Sequence, residues 1–137
     1  MPSIHHQITV EVSPDVVWDA VRDVGALHTR LVPGFVVATL MIEDAPTPTR
    51  RVTFADGTVL DEVIVDTDDE RRRLVWSIKG VEHHNAVMSV FDAPGGALVT
   101  WTADVLPAEL AEQFSPLMAA GLATMKRHLE QGAQPAG

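Results

Sequence analysis

The hydrophobic repeat of this chain changes period three times, and that order of periods is what most restricts its fold. Ile4, His6, Ile8, Val10 and Val12 alternate with His5, Gln7, Thr9 and Glu11, the period of a half-buried strand. Ser13-Pro14 then breaks the strand. Ser13 can cap a helix, Pro14 suits its first position and Asp15 its first turn, while Val17, Ala20, Val21 and Val24 fall at helical spacing and Gly25 stops it. A second short helix is expected over Ala26 to Leu31, before Pro33-Gly34 turns the chain. From Phe35 to Leu106 the period is that of strands again. One long helix, opened by Pro107, follows, with Leu110, Phe114, Leu117, Met118, Gly121, Leu122, Met125 and Leu129 in one stripe. The expected fold is α+β, a curved antiparallel sheet of about seven strands around a long C-terminal helix, with two short helices after the first strand. A sheet curved around one helix tends to enclose a cavity.

The 137 residues, 46% of them apolar, suffice for one domain with a sizeable core, so residues 1–137 are read as a single domain with 131–137 as a frayed tail. Nineteen acidic against ten basic side chains give a net charge of −9, which repels nucleic acid and anionic lipid. Without cysteine there is no disulfide, thiolate nucleophile or zinc-thiolate site. No signal peptide or membrane-spanning run is apparent, and a soluble cytoplasmic protein, monomer or homodimer, is expected.

Hairpin register then selects the inward side chains, because strand pairing fixes which residues share a face. Strands are expected at Arg50 to Phe54 and Thr58 to Val65, at Arg73 to Lys79, at His84 to Asp92 and at Ala97 to Leu106. With Ala55-Asp56-Gly57 as a three-residue loop, Val52 lies opposite Leu60 and Arg50 opposite Glu62. A two-residue Asp56-Gly57 turn would instead set Arg51 opposite Glu62; the first register separates apolar from polar residues better. Its inner face carries Val52, Phe54, Leu60 and Ile64, with Arg50 and Glu62 among them. A loop over Ala93 to Gly96 pairs Trp101 with Met88 and brings Ala86 and His84 to the same face, beside Leu74, Trp76 and Ile78. Two Trp, several Met and a few polar groups are the chemistry of a small-molecule pocket, to which Phe114, Met118 and Met125 of the final helix would add.

Ser13-Pro14 with Val17-Trp18, Asp23 to Leu27 with Pro33-Gly34, Arg50 to Gly57, and Glu62 followed by Trp76-Ser77-Ile78 together resemble the START/Bet v 1-like (SRPBCC) superfamily, or helix-grip fold, in its polyketide cyclase/dehydrase-like branch. The resemblance covers nearly the whole chain. It implies a ligand cavity, with the family's inward Arg, inward Glu and following aromatic at Arg50, Glu62 and Trp76, and His84 where relatives often carry Tyr. Two departures stand out. The loop between Ile78 and His84 is shorter than the gate loop of the plant hormone receptors and lacks its sequence. The strand Phe35 to Ile42 has no Lys, which leaves Arg50 alone to meet a ligand carboxylate.

The function expected is binding of a hydrophobic, oxygenated small molecule, polyketide-like or aromatic, with or without cofactor-free cyclisation or dehydration. The catalytic candidates are Arg50, Glu62 and His84: Arg50 polarising an oxygen, Glu62 or His84 moving a proton. The ligand-binding candidates are Val52, Phe54, Leu60, Trp76, Met88, Trp101, Phe114, Met118 and Met125. The alternative is a non-catalytic carrier or sensor of a lipid or aromatic metabolite, and Arg50 and Glu62 could equally be a cross-strand ion pair that serves only itself. No cofactor and no metal are expected. His5-His6 and His83-His84 are strand neighbours that point to opposite faces, and Asp66, Asp68, Asp69 and Glu70 lack the spacing of a calcium loop and read as a solvated hairpin tip. No Gly-x-Ser-x-Gly elbow, nucleotide-binding glycine fingerprint or His-Glu-x-x-His motif is present.

Overall fold

In the computed structural model, which describes residues 2–133, the elements follow the expected order. They are β1 (Ser3–Val10), α1 (Pro14–Arg22), β2 (Val36–Met41), β3 (Thr49–Phe54), β4 (Val59–Asp68), β5 (Arg73–Ile78), β6 (His83–Ala93), β7 (Gly96–Leu106) and α2 (Leu110–Ala133). The strands form one antiparallel sheet in the order β1-β7-β6-β5-β4-β3-β2, and α2 packs against β1 and β7. Every sheet connection except β1 to β2 is therefore a hairpin. The excursion from β1 to β2 carries α1 and the two turns that close one end of the sheet.

Local chemistry explains the ends of these elements. The Ser13 hydroxyl accepts the Val16 N–H at 3.3 Å and Pro14 occupies the first turn of α1. That helix stops at Arg22, earlier than the apolar spacing suggests, because Asp23 leaves helical geometry. The expected second helix is a 3₁₀ turn over Val24–Ala26 that runs into a π-type turn over Leu27–Leu31. Gly57, at φ +91°, closes the β3–β4 loop, and the Phe54 N–H meets the Thr58 carbonyl at 2.8 Å, so the three-residue loop is the one formed. Arg50 then faces Glu62, and Val52 faces Leu60. Bulges between Val36 and Ala38 and between Ile64 and Asp66 bend β2 and β4.

Several boundaries differ from expectation. The β6–β7 hairpin is tighter than a four-residue loop: Ala93 pairs with Gly96 across Pro94-Gly95, with Gly95 at φ +78°. The register is nonetheless the expected one, Trp101 opposite Met88. Pro107 does not open the last helix; three residues of turn intervene before Leu110. At its far end α2 continues to Ala133, through the start of the expected tail, and residues 134–137 lie outside the described ones. The acidic β4–β5 tip is exposed, yet it is also a clasp. Asp69 accepts the Trp18 indole N–H at 2.9 Å and the Arg22 guanidinium at 2.7 Å, fixing α1 to the sheet.

Candidate functional site

The inner face of the sheet is lined by alternate residues of each strand, and small ones at its centre leave room. Ala86 of β6 and Ala103 of β7 are paired and fully enclosed, flanked along the strands by His84 with Val105 on one side and Met88 with Trp101 on the other. The space above them is not filled by α2. An outer chamber of about 330 Å³ opens between the β3–β4 loop and α2, and a smaller inner chamber of about 60 Å³ lies behind it under the α1–β2 excursion. Phe35, Phe54, Glu62, Trp76 and Trp101 border both chambers. The constriction between them is aromatic: Phe35 meets Phe54 edge to face at 5.7 Å, and Trp76 lies against Trp101 at 5.7 Å with a 49° tilt.

Of the expected binding residues, Met88 and Met125 line the inner chamber, Leu60, Phe114 and Met118 the outer, and Phe54, Trp76 and Trp101 both. Val52 is the exception. It points inward as expected but is wholly packed and reaches neither chamber. Residues not singled out from sequence complete the walls. Leu27, Leu31, Val32 and Phe35 of the excursion cover the inner chamber, and their inward direction has no strand or helix period to announce it. Leu117 stands at the outer mouth, half exposed, although it lies in the apolar stripe of α2.

Three charged or titratable side chains interrupt the apolar walls. Arg50 Nε donates to Glu62 Oε1 at 2.7 Å, and the Arg50 side chain is 4% and the Glu62 side chain 8% exposed, so this is a buried ion pair. Arg50 Nη1 also donates to the Val24 carbonyl at 3.3 Å, and its guanidinium carbon lies 5.5 Å from the centre of the Trp76 ring. Arg50 thus belongs to the inner chamber, while Glu62 faces both. Glu62 uses one carboxylate oxygen on Arg50; Oε2 has no hydrogen-bond partner among the described residues and is not sealed in the protein.

His84 lines the outer chamber, edge-on to Phe114 at 6.1 Å. Its Nδ1 accepts the Ile78 backbone N–H at 3.0 Å, which places the ring proton on Nε2. Burial, with a smaller contribution from the neighbouring His83, pushes the imidazole pKa down to about 4. His84 is therefore neutral near pH 7 and presents an Nε2–H donor. The other histidines are elsewhere: His5 bonds to Thr102 and Gln7 on the outer face, and His6 Nε2 lies 2.9 Å from Ser115 Oγ of α2. Among the described residues no group of three or more His, Asp or Glu converges in a metal-binding arrangement. Nor is any helix long and apolar enough to cross a membrane.

A seven-stranded sheet closed on one long helix around an apolar, partly charged cavity defines a helix-grip protein of the START/Bet v 1-like superfamily. Residues 1–130 match the family described as polyketide cyclase / dehydrase and lipid transport, and the chain belongs to that family. No curated protein sequence matches it. Among solved structures it is similar to the protein XoxI from Bacillus cereus, with a TM-score of 0.82 at 18% identity over 98% of this chain and 100% of that one. Ara h 8.0201 superposes with a TM-score of 0.73 at 16% identity over 94% of this chain and 97% of its own. The di-domain aromatase/cyclase BexL of the BE-7585A biosynthetic pathway gives a TM-score of 0.71 at 17% identity, over 97% of this chain and 50% of that chain. These likenesses establish the fold.

Proposed function

We propose that this protein binds a hydrophobic, oxygenated small molecule, polyketide-like or aromatic, with its polar end at Glu62, and that Glu62 is the group able to take a proton from it. The observation that carries this reading is a buried carboxylate shared by two apolar chambers, one oxygen held by Arg50 and the other left without a protein partner. A ligand carbonyl in the outer chamber would be polarised by the His84 Nε2–H, while Glu62, held in place by Arg50 from the inner chamber, removes a proton from the adjacent carbon or hydroxyl. Such a step needs no cofactor. In this scheme His84 is a donor and not a base, because the Ile78 N–H occupies its basic nitrogen. The chemical class of the ligand is supported by the apolar walls and by membership in a family that includes cyclases, dehydrases and lipid transporters.

A second reading, a carrier that transforms nothing, is favoured by the 2.7 Å Arg50–Glu62 contact, since the carboxylate and the guanidinium already neutralise one another across the strands. Native mass spectrometry of the freshly isolated protein would separate the two, followed by incubation of any co-purifying compound with wild-type and Glu62→Gln protein. The catalytic reading expects a product that separates from the starting compound by chromatography, of equal mass for cyclisation and lighter by one water for dehydration, formed at least about a hundredfold more slowly by Glu62→Gln. Release of the compound unchanged from both would establish a carrier.

A further inference from the structure

Trp101 Nε1 is, among the described residues, the single fully buried side-chain nitrogen or oxygen with no hydrogen-bond partner. Natural proteins leave few such atoms, because an unpaired buried donor loses its hydration without compensation. The contrast with Trp18 is instructive, whose indole N–H has Asp69 at 2.9 Å. Trp101 also stands at the boundary of both chambers, tilted against Trp76 on one side. On another side its Cζ3 edge passes so near α2 that a side-chain carbon at Gly121 would sit 3.4 Å from it. His6, its pairing neighbour on β1, directs Nε2 to Ser115 instead.

We infer that the Trp101 indole N–H is a specificity-determining donor for a neutral carbonyl oxygen of an aromatic ligand that lodges at the junction of the two chambers. This inference rests on the ligand-binding reading given above and names the chemistry that the pocket selects. The N–H is already dry, so a ligand oxygen that reaches it gains a hydrogen bond without stripping water from the protein side. Reaching it requires the ring to move, because the nitrogen is buried in the free protein. That movement exchanges an unpaired donor for a paired one only when the incoming molecule carries an acceptor, and a hydrocarbon of the same shape gains nothing from it. An uncharged donor in chambers that Glu62 also borders favours a carbonyl over a carboxylate, which would share the space with a like charge.

A matched pair of probes tests this: 2-acetylnaphthalene and 2-ethylnaphthalene, which differ by a carbonyl in place of a methylene, titrated calorimetrically into wild-type and Trp101→Phe protein. The wild type should prefer the ketone by about tenfold or more, and the preference should collapse toward unity in Trp101→Phe. Wild-type protein supplies a second readout that does not depend on the variant folding. Of the three tryptophan indole N–H resonances in a ¹H–¹⁵N spectrum, one should move downfield with the ketone and not with the hydrocarbon, and it should be neither the Asp69-bonded Trp18 signal, identified with Asp69→Ala, nor that lost in Trp76→Phe. Equal preference for the ketone in wild type and Trp101→Phe, or no indole shift specific to the ketone, overturns the inference while leaving ligand binding intact. Failure of the wild type to bind either probe overturns it as well, and counts against the cavity reading with it.

Discussion

Arg50 and Glu62 set a positive and a negative charge where little water reaches them, and among the described residues their desolvation is offset by each other, the Val24 carbonyl and the face of Trp76. Removing one partner should therefore cost far more than removing both. Arg50→Met is expected to lose about 3–5 kcal/mol in urea unfolding, whereas Arg50→Met with Glu62→Leu should return to within about 1–2 kcal/mol of wild type. A double variant as unstable as the single would show that the pair contributes more than mutual neutralisation. His84 adds a dependence on pH. Its folded pKa of about 4 lies below the ordinary 6.5, so the unfolded chain binds the extra proton between those values. The stability linked to His84 is thus complete above pH 6.5, declines as pH falls toward 4 and is gone below that. His84→Gln should flatten this part of the profile relative to wild type when unfolding is followed at pH 7, 5.5 and 4.5; an unchanged slope would assign it to other groups. The Arg50–Glu62 pairing was legible in the sequence because Gly57 fixes a loop that fixes a register. The missing partner of Trp101 was not, since it depends on every atom around one nitrogen, contributed by strands and a helix far apart in the chain.

At the scale of elements, α2 is read correctly as a stripe but incompletely as a wall. Its apolar positions could be counted from sequence, yet only packing distinguishes Leu122, buried in the core, from Leu117, half exposed at the cavity mouth. Gly121 shows why the distinction matters. A glycine within a helix costs about 0.5–1 kcal/mol relative to alanine, and here it admits the edges of Phe35 and Trp101 close to the helix axis. A methyl group at that site would lie at ordinary contact distance, 3.4 Å from both rings. Gly121→Ala is expected to stabilise the protein by about 0.5–1 kcal/mol in chemical denaturation, with weaker binding at the constriction because the rings lose freedom to separate. Destabilisation would mean that the methyl group is not accommodated at that distance and displaces the Phe35 or Trp101 ring. The excursion between α1 and β2 was the least legible element. Its 3₁₀ and π-type turns have neither period, and Leu27, Leu31, Val32 and Phe35 face the cavity for reasons of path and not of pattern.

For the whole molecule, the succession of periods named the architecture because few arrangements bury six consecutive antiparallel strands and one amphipathic helix together. It did not give the volume left inside, which lies over the small side chain of Ala103 between the β3–β4 loop and α2. That unfilled volume forgoes packing energy, and a ligand that occupies it restores contacts absent from the free protein. Binding to the folded state alone stabilises by about 2.7 kcal/mol at a hundredfold excess over Kd, which for a chain of 137 residues corresponds to a rise in Tm of roughly 10 °C. Neutral aromatic ketones of two or three rings, screened by thermal unfolding, should give shifts of that order in wild type. They should give much smaller ones in the Arg50→Met, Glu62→Leu protein, which keeps the apolar walls but loses the charges. Because the surface carries a net charge of −9, aromatic carboxylates should lag the ketones at low salt and recover part of the difference as ionic strength rises. Equal shifts for ketone and carboxylate at every salt concentration would show that the molecular field does not discriminate between them.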